Sequence, residues 1–279
     1  MTDNVINNDV GVISNTCFGI GFGSAPAYPE ANFFTNSTFS RNTIINAGAV
    51  SMSIANAPGA IIEDNLIVTN YAYGGGLWQI SGFGLSNTAS RTTPYVDGVN
   101  TAMVVRNNTI WFGPAVTGGA VGIDMGIEGT GHIVANNTVV YSAATIASNR
   151  DVGCYAYELP NSAFAFINNN HCYSAAAGAY WRVTDDSSQQ VVKDSTRMSL
   201  SAWQSYASAQ GWDSASVGGA PNFVNASSTY GSYDFHPNAN PALPLSPLLG
   251  AGSHANAPTG DLSGTSFSDP PAIGAYEKM

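Results

Sequence analysis

The chain has 279 residues, of which 9% are charged and 44% are hydrophobic, and its formal net charge is −10 at pH 7. An acidic chain repels phosphate backbones and anionic lipid surfaces, which argues against nucleic acid or a membrane surface as partner. No apolar run reaches the ~18 residues of a membrane-spanning helix. The hydrophobic content argues against a disordered chain and is enough for one domain with a substantial core.

The first 174 residues contain a repeated pattern in which an asparagine precedes a short run of strand-forming side chains. The copies begin at Asn42, Asn65, Asn108, Asn137 and Asn169, and Asp3-Asn4-Val5-Ile6 resembles an earlier copy. Asparagine tolerates the positive φ of a tight corner better than any residue except glycine. We therefore place these asparagines at corners and expect their side chains to hydrogen-bond to one another in a ladder.

One complete repeat lies within residues 119–142. It holds three strand-like runs, Val121–Ile127, His132–Ala135 and Thr138–Tyr141, and only Asn136-Asn137 separates the last two. A chain that turns a corner after every few strand-forming residues is typical of a β-helix rather than a flat sheet. The pattern predicts an all-β fold, a single-stranded parallel β-helix or β-solenoid.

Two charged residues test the alignment of the repeats. Glu63 and Arg106 each lie two residues before an aligned asparagine. Equivalent positions on successive turns are neighbours about 4.8 Å apart in a parallel sheet. The alignment therefore predicts a surface ion pair between Glu63 and Arg106.

The repeat stops after Ser174, and two further segments follow it in one domain of residues 1–279. In the segment 175–220, Thr196–Gly211 has apolar residues at helical spacing and a final glycine, which predicts an amphipathic helix. The segment 221–279 is rich in Pro, Gly and Asn, which predicts an irregular tail of turns and short strands.

The three cysteines, Cys17, Cys154 and Cys172, lack the spacing of a metal site. Cys154 and Cys172 each lie in a predicted strand, where we expect buried thiols. The chain begins without a signal peptide and enters repeat material directly after Met1. Since a solenoid needs an end cap, we expect the native protein to start before this residue.

The inserted residues indicate a candidate site beside the first strand of each turn, because loops on both flanks of a strand stack form a groove. Alternation in Val121–Ile127 directs Asp124 away from the core and onto the predicted groove floor. Neighbouring turns add candidate catalytic residues, Arg150, Asp151 and Glu158, and aromatic candidates for substrate binding, Trp78, Tyr71, Tyr73, Tyr155 and Tyr157. Carboxylates between aromatic rings suit a sugar chain, whose apolar faces stack on rings while its hydroxyls bond to acids.

The reaction is open between two classes. Asp124 with Asp151 or Glu158 supplies the two carboxyl groups of a glycoside hydrolase. A lyase needs a base and a cation that neutralises the substrate carboxylate. Arg150, His132 and Tyr157 are candidates for these roles, and Asp124 with Asp151 could hold a metal such as Ca²⁺, although no metal ligand set is predicted. Structural roles are favoured for His132 and His171, which lie in strands.

Motifs of the tail carry a resemblance to a known group of proteins. They are Pro221-Asn-Phe-Val-Asn, Tyr233-Asp-Phe-His, Leu245-Ser-Pro-Leu-Leu-Gly-Ala-Gly, Asp261-Leu-Ser-Gly and Pro271-Ala-Ile-Gly-Ala-Tyr-Glu. With the repeats, they resemble bacterial pectate-lyase-like proteins with right-handed parallel β-helix repeats. The resemblance implies a secreted or cell-surface protein that binds polysaccharide, often as a lyase or hydrolase. A non-catalytic adhesion module and a phage tailspike-like trimer are the alternatives, because fold alone does not decide function.

Overall fold

The computed structural model describes residues 1–8, 18–22, 34–47, 50–54, 57–71, 77–80, 101–116, 120–125, 129–145, 152–157, 161–176, 181–183 and 196–279. These residues are dominated by β-strands and contain a single α-helix. Three stacked sheets, which we call A, B and C, hold most of the strands, and a separate hairpin lies in the tail.

The strands of each sheet are short and follow one another in chain order. Sheet A contains β3 (Thr38–Ser40), β6 (Ile61–Glu63), β9 (Val104–Arg106), β12 (His132–Ala135) and β15 (Phe164–Asn168). Sheet B contains β1 (Val5–Asn7), β4 (Thr43–Ile45), β7 (Leu66–Thr69), β10 (Thr109–Phe112), β13 (Thr138–Tyr141), β16 (His171–Ser174) and β19 (Val217–Gly218). Sheet C contains β2 (Phe18–Phe22), β5 (Val50–Ile54), β8 (Leu77–Ile80), β11 (Ala120–Met125), β14 (Val152–Tyr157), β17 (Trp181–Val183) and β18 (Thr196–Met198).

Consecutive strands enter the three sheets in a fixed cycle. From β3 to β17 each group of three places one strand in sheet A, the next in sheet B and the third in sheet C. The described pairs within these sheets are parallel, except that β18 runs antiparallel to β17 at the end of sheet C. Parallel stacking with this cycle is compatible with a β-helix.

The corner between sheets A and B has two residues with different roles, which corrects the expected assignment. The left-handed φ belongs to the residue before each ladder asparagine, at Asp3, Arg41, Asp64, Asn107, Asn136 and Asn169. In the last repeat the ladder residue is accordingly Asn170 and not Asn169. One residue relieves the strain of the corner, and the next supplies the hydrogen bonds.

The asparagine ladder is confirmed. Five side-chain amides donate to the Oδ1 of the next ladder asparagine, at distances of 2.8 Å to 3.1 Å. The ladder consists of Asn4, Asn42, Asn65, Asn108, Asn137 and Asn170. Each Oδ1 from Asn42 to Asn170 also accepts the backbone N–H of the preceding ladder residue. The ladder therefore satisfies buried polar groups at every corner that it crosses.

The predicted ion pair beside this ladder is also confirmed. Glu63 and Arg106 are partners in the register of β6 and β9. An Arg106 guanidinium nitrogen lies 2.7 Å from the Glu63 carboxylate. The alignment of these two repeats was therefore correct.

The inward faces of the three sheets enclose the main core, and the outward face of sheet B forms a second one. The outward members from sheet B are Ile45, Leu66, Val68, Trp111 and Val140, and they pack with Phe235 of the tail. The Trp111 and Phe235 rings lie 5.8 Å apart between centroids. Sheet B is therefore buried on both faces, as its uninterrupted apolar runs require.

The tail is fixed to the same corner stack through its backbone. The Gly274 amide donates to the Asn136 carbonyl, and the Ala275 amide donates to Thr109 Oγ1, both at 2.8 Å. Gly274 has φ +107°, and a Cβ there would lie 2.7 Å from Thr109 Oγ1. Glycine is therefore required for the tail to approach sheet B this closely.

Cys154 and Cys172 form a disulfide, so the expectation of two buried thiols was wrong. Cys154 lies in β14 of sheet C and Cys172 in β16 of sheet B, with Cα atoms 5.8 Å apart. Alternation within each strand did not show that both side chains face the same point of the core. Cys17 lies outside the described residues.

The predicted helix is present but begins later than expected. Helix α1 spans Leu200–Ala209 and is capped by Ser199, whose side chain accepts from the Ala202 amide. Residues 196–198 instead form β18, because they pair with β17. Trp203 and Ala207 are buried against the main core, as the helical spacing predicted.

The tail beyond the helix contains one hairpin, formed by β20 (Phe223–Asn225) and β21 (Asp234–Pro237). Short 3₁₀ segments occur at Asn161–Ala163 and His254–Asn256. The rest of the tail consists of turns and irregular segments, in agreement with its Pro, Gly and Asn content.

Candidate functional site

Four of the predicted site residues lie outside the described part of the chain. They are Arg150, Asp151, Glu158 and Tyr73. The pairing of Asp124 with a second carboxylate therefore stays a prediction. Asp124, Trp78, Tyr155 and Tyr157 lie on strands of sheet C, and Tyr71 follows β7 of sheet B.

Asp124 lies in β11 on the outward side of sheet C, but it is buried. Its neighbours Ile123 and Met125 belong to the main core, so alternation directs Asp124 to the opposite side. The residue is only 4% exposed, which corrects the expectation of a carboxylate on an open groove floor. A substrate could touch this group only after the residues that cover it had moved.

The two tyrosines of β14 lie in the core, which corrects their predicted role in substrate binding. The register pairs Tyr155 with Ile123 and Tyr157 with Met125, both of which are inward positions. The Tyr155 hydroxyl donates within the core, where the carbonyls of Asn137 and His171 lie 2.8 and 2.9 Å away. Burial raises the pKa of both phenols well above the usual value, so they stay neutral.

Trp78 lies directly beside Asp124 in the backbone register. Leu77 pairs with Ile123 and Ile80 with Met125, so Trp78 and Gln79 together stand opposite Asp124. This arrangement is a β-bulge, a device that re-aims strands beside functional sites. Tyr71 follows β7 of sheet B and is half-buried.

The register also reveals a basic residue that the sequence did not indicate. Asp124 pairs with Ala156, and Ala156 pairs with Arg182 of β17. Arg182 therefore stands two strands from Asp124, about 9.6 Å along the outward positions of sheet C. Its strand lies beyond the clear repeat, and only the alignment of Tyr155 with Trp181 would have shown it.

We define the outward column of sheet C as the register line through Ser53, Trp78, Asp124, Ala156 and Arg182. Ser53 enters this line because Met52 pairs with Leu77, the residue before Trp78. Ser53 and Ala156 are buried, as is Asp124. Along one line of the sheet the column therefore combines an acidic residue, a serine, a tryptophan and an arginine.

Among the described residues, we find no metal site, and the two strand histidines do not indicate a further functional site. No group of three His, Cys, Asp or Glu side chains that could hold a metal occurs in this part of the chain. His171 Nδ1 lies 2.6 Å from Thr138 Oγ1, and burial lowers the pKa of His171 to about 4. His132 Nδ1 lies 3.3 Å from the Met103 amide, which donates to it. Both histidines are buried, as expected for structural roles.

Comparison with known proteins adds no identification. No family model matches the chain, and no curated protein matches it significantly. Within the described ranges, no helix has the length and apolar character needed to cross a membrane.

Proposed function

We propose that the chain is a single-stranded right-handed parallel β-helix of the secreted or cell-surface type, and that it binds polysaccharide over sheet C. The cyclic entry of strands into three parallel sheets supports the β-helix. Right-handed connections are the rule between parallel strands of one sheet. The Cys154–Cys172 disulfide supports an oxidising compartment, where such bonds persist.

The register of the outward column of sheet C is the observation that carries the proposal. It aligns Trp78, Asp124 and Arg182 along one direction of the stack. Sugar hydroxyls bond to carboxylate and guanidinium groups, and apolar sugar faces stack on an indole. A chain-like ligand running across the strands would follow this line, and it would reach the Asp124 carboxylate once the residues that cover it had moved.

The number of carboxyl groups in the column favours binding without cleavage. Hydrolysis needs two carboxyl groups, and the described part of the column supplies only Asp124. We therefore favour the adhesion or tailspike-like glycan-binding module over a lyase or hydrolase.

One observation supports cleavage as the second candidate. The β-bulge at Trp78 lies directly opposite Asp124, and bulges of this kind recur next to active sites. A lyase would release unsaturated products, whereas a hydrolase would release reducing ends without unsaturation. The two candidates are therefore separable in one assay.

The test combines a panel of neutral and acidic polysaccharides with the variant Asp124→Asn. Binding, reducing ends and the absorbance of unsaturated products are measured together. We expect at least one polysaccharide to bind the parent, and its affinity to fall in Asp124→Asn by about fivefold or more, the effect of losing a charged hydrogen bond. Asp269→Asn changes the same charge at an exposed tail position and is the control.

Two results would reject the proposal. One is the absence of binding across the panel. The other is equal loss of affinity in Asp124→Asn and Asp269→Asn, which would show a general charge effect. Product formation in the parent that Asp124→Asn abolishes would decide for the enzyme.

A further inference from the structure

The tail contains a pocket. Its volume is about 580 Å³, which lies in the ordinary range of small-molecule sites. Its walls come from the β20–β21 hairpin, the segment that follows it and Met279, and they include Asn222, Phe223, Val224, His236, Asn240 and Leu243. The pocket belongs to the covering of sheet B and contains no residue of the outward column of sheet C.

The β20–β21 hairpin that lines this pocket packs against the second core. Phe235 points into the second core and packs against Trp111 and Phe223. Alternation in β21 then directs its neighbours Asp234 and His236 to the opposite face of the strand. The strand that closes sheet B therefore also presents a carboxylate and an imidazole outward.

Asp234 and His236 form a hydrogen-bonded dyad. His236 Nδ1 lies 2.6 Å from Asp234 Oδ1, which also accepts the His236 backbone N–H at 3.0 Å. A carboxylate only accepts hydrogen bonds, so His236 Nδ1 is the donor in this pair and the ring orientation is fixed by it. His236 Nε2 makes no hydrogen bond among the described residues.

The remaining walls provide uncharged polar groups and apolar surface. Val224 and Leu243 are 51% and 57% exposed and supply apolar surface to the walls of the pocket. The Asn240 side chain uses its Oδ1 for the Ala242 amide and leaves its NH₂ group available. The Asn222 NH₂ group donates to the Leu245 carbonyl and leaves Oδ1 available.

We propose that this pocket binds a neutral saccharide unit, with His236 Nε2 hydrogen-bonding to a sugar hydroxyl, which can donate or accept. The other polar side chains of the lining are amides, and no Lys, Arg, Asp or Glu side chain lines the pocket. An acidic sugar would find no Lys or Arg there. A simple alkyl alcohol would leave the amides unused, whereas a sugar ring pairs several hydroxyls with them and covers Val224 and Leu243 with its apolar face.

This site goes beyond the proposed binding over sheet C and does not depend on it. A ligand in the pocket touches the tail alone. The pocket could accept a single sugar even if the outward column of sheet C bound no polysaccharide. Different variants therefore test the two proposals.

The experiment titrates the full chain with methyl β-D-glucopyranoside and methyl β-D-galactopyranoside while the imidazole ¹⁵N resonances are recorded. We expect a saturable shift of the His236 Nε2 resonance with at least one glycoside. His236→Phe keeps a ring but removes Nε2, so the dissociation constant should rise about fivefold. Leu243→Ser alters an exposed wall without touching the core and should weaken binding by a smaller factor.

Three controls make the result specific. His254→Phe removes an exposed histidine that lies 3.8 Å from Asp269, outside the pocket, and should not change the affinity. Asp124→Asn should not change it either, which separates this site from sheet C. Asp234→Asn allows either tautomer of His236, because an amide both donates and accepts, and should displace the resting Nδ1 and Nε2 shifts.

Clear outcomes overturn the inference. A lack of saturable shift with both glycosides rejects the site. Full affinity in both His236→Phe and Leu243→Ser places any binding elsewhere. Preference for methyl β-D-glucuronide, n-butanol or phenol over the neutral glycosides rejects the ligand class. Unchanged melting midpoints of the two pocket variants confirm that lost binding reflects the pocket rather than the fold.

Discussion

Sheets B and C are built from the same successive turns of the chain, but their outward positions differ in kind. Those of sheet B include the large apolar side chains Ile45, Leu66, Val68, Trp111 and Val140, which the tail covers. Those of sheet C include Ser51, Ser53 and Asp124, although these are buried as well. One repeat therefore supports an apolar interface on one sheet and a polar column on the other.

The difference lies in what covers the two sheets. On sheet B, the tail converts what would be an exposed apolar face into a second core, and its backbone bonds to Asn136 and Thr109. On sheet C, the outward column contains polar residues, and we propose that it serves ligand binding. The proposals for sheet C and for the tail pocket both follow from this difference, because each concerns surface that the cores leave over.

The largest expected effect comes from breaking the second core with Trp111→Ala. The indole lies between sheet B and Phe235, and its removal leaves a cavity that the flanking strands cannot fill. We expect a loss of about 3–5 kcal/mol in the free energy of unfolding. Denaturant titration measures it, and a change below about 1 kcal/mol would show that the tail does not close sheet B.

The next largest effect tests the ladder that joins sheets A and B. Asn137→Val removes an amide that donates to Val105, Ala135 and Asn170 and accepts from Asn108. Several buried groups lose their partners, so the free energy of unfolding should fall by roughly 3 kcal/mol. Asn137 does not adopt the left-handed φ, so backbone strain adds nothing to this cost. An unchanged melting midpoint would show that the ladder does not stabilise the fold.

The disulfide connects the two contrasted sheets, and its removal should have a somewhat smaller effect. Cys154 and Cys172 are separated by 18 positions, a loop for which cross-linking stabilises by about 2–3 kcal/mol. Cys154→Ser/Cys172→Ser and the reduced parent should therefore show similar decreases in thermal stability. Equal melting midpoints for the oxidised and reduced parent would contradict the bond.

The smallest effect concerns a buried acid at the corner beside sheet B. Asp64 is buried, and its Oδ1 has no hydrogen-bond partner among the described residues. Burial and the Glu63 carboxylate raise the pKa of Asp64 to about 9. The pKa of Asp64 is higher in the folded than in the unfolded protein. Its contribution to the free energy of unfolding is therefore complete below pH ~4 and is lost as the pH rises towards 9.

Asp64→Asn should remove this loss. The next three corners carry Asn107, Asn136 and Asn169 at the same left-handed position, so asparagine fits the backbone. We expect the variant to match the parent near pH ~4 and to be more stable than the parent near pH ~8. Asp3→Asn at an exposed equivalent corner is the control and should give no such pH dependence. A parallel pH profile for Asp64→Asn and the parent would contradict the raised pKa.

The sequence predicted the features that repeat. The strand-forming runs and the spacing from Asn42 to Asn137 indicated the corners, and the Glu63–Arg106 pair followed from the same alignment. The position of the left-handed residue was not predictable from type alone, because Arg41 and Asp64 occupy it as well as asparagines. The ladder of the last repeat was misaligned for the same reason, since two asparagines, Asn169 and Asn170, compete there.

The candidate site was less predictable, because it depends on register rather than on pattern. Alternation placed Asp124 on the outward side but said nothing about what covers it. Tyr155 and Tyr157 align with inward residues of β11, which only strand pairing reveals. The disulfide and Arg182 were missed for similar reasons, since each requires knowing how distant strands meet.

The most direct measurement of the central claim is backbone hydrogen exchange with and without a polysaccharide from the binding panel. It compares peptides from sheet C, covering β11 and β14, with peptides from sheet B, covering β10 and β13. The account predicts that the ligand slows exchange in β11 and β14 and leaves β10 and β13 unchanged, because the tail already closes sheet B. Slower exchange in β10 and β13 with no change in β11 and β14 would contradict the assignment of recognition to sheet C.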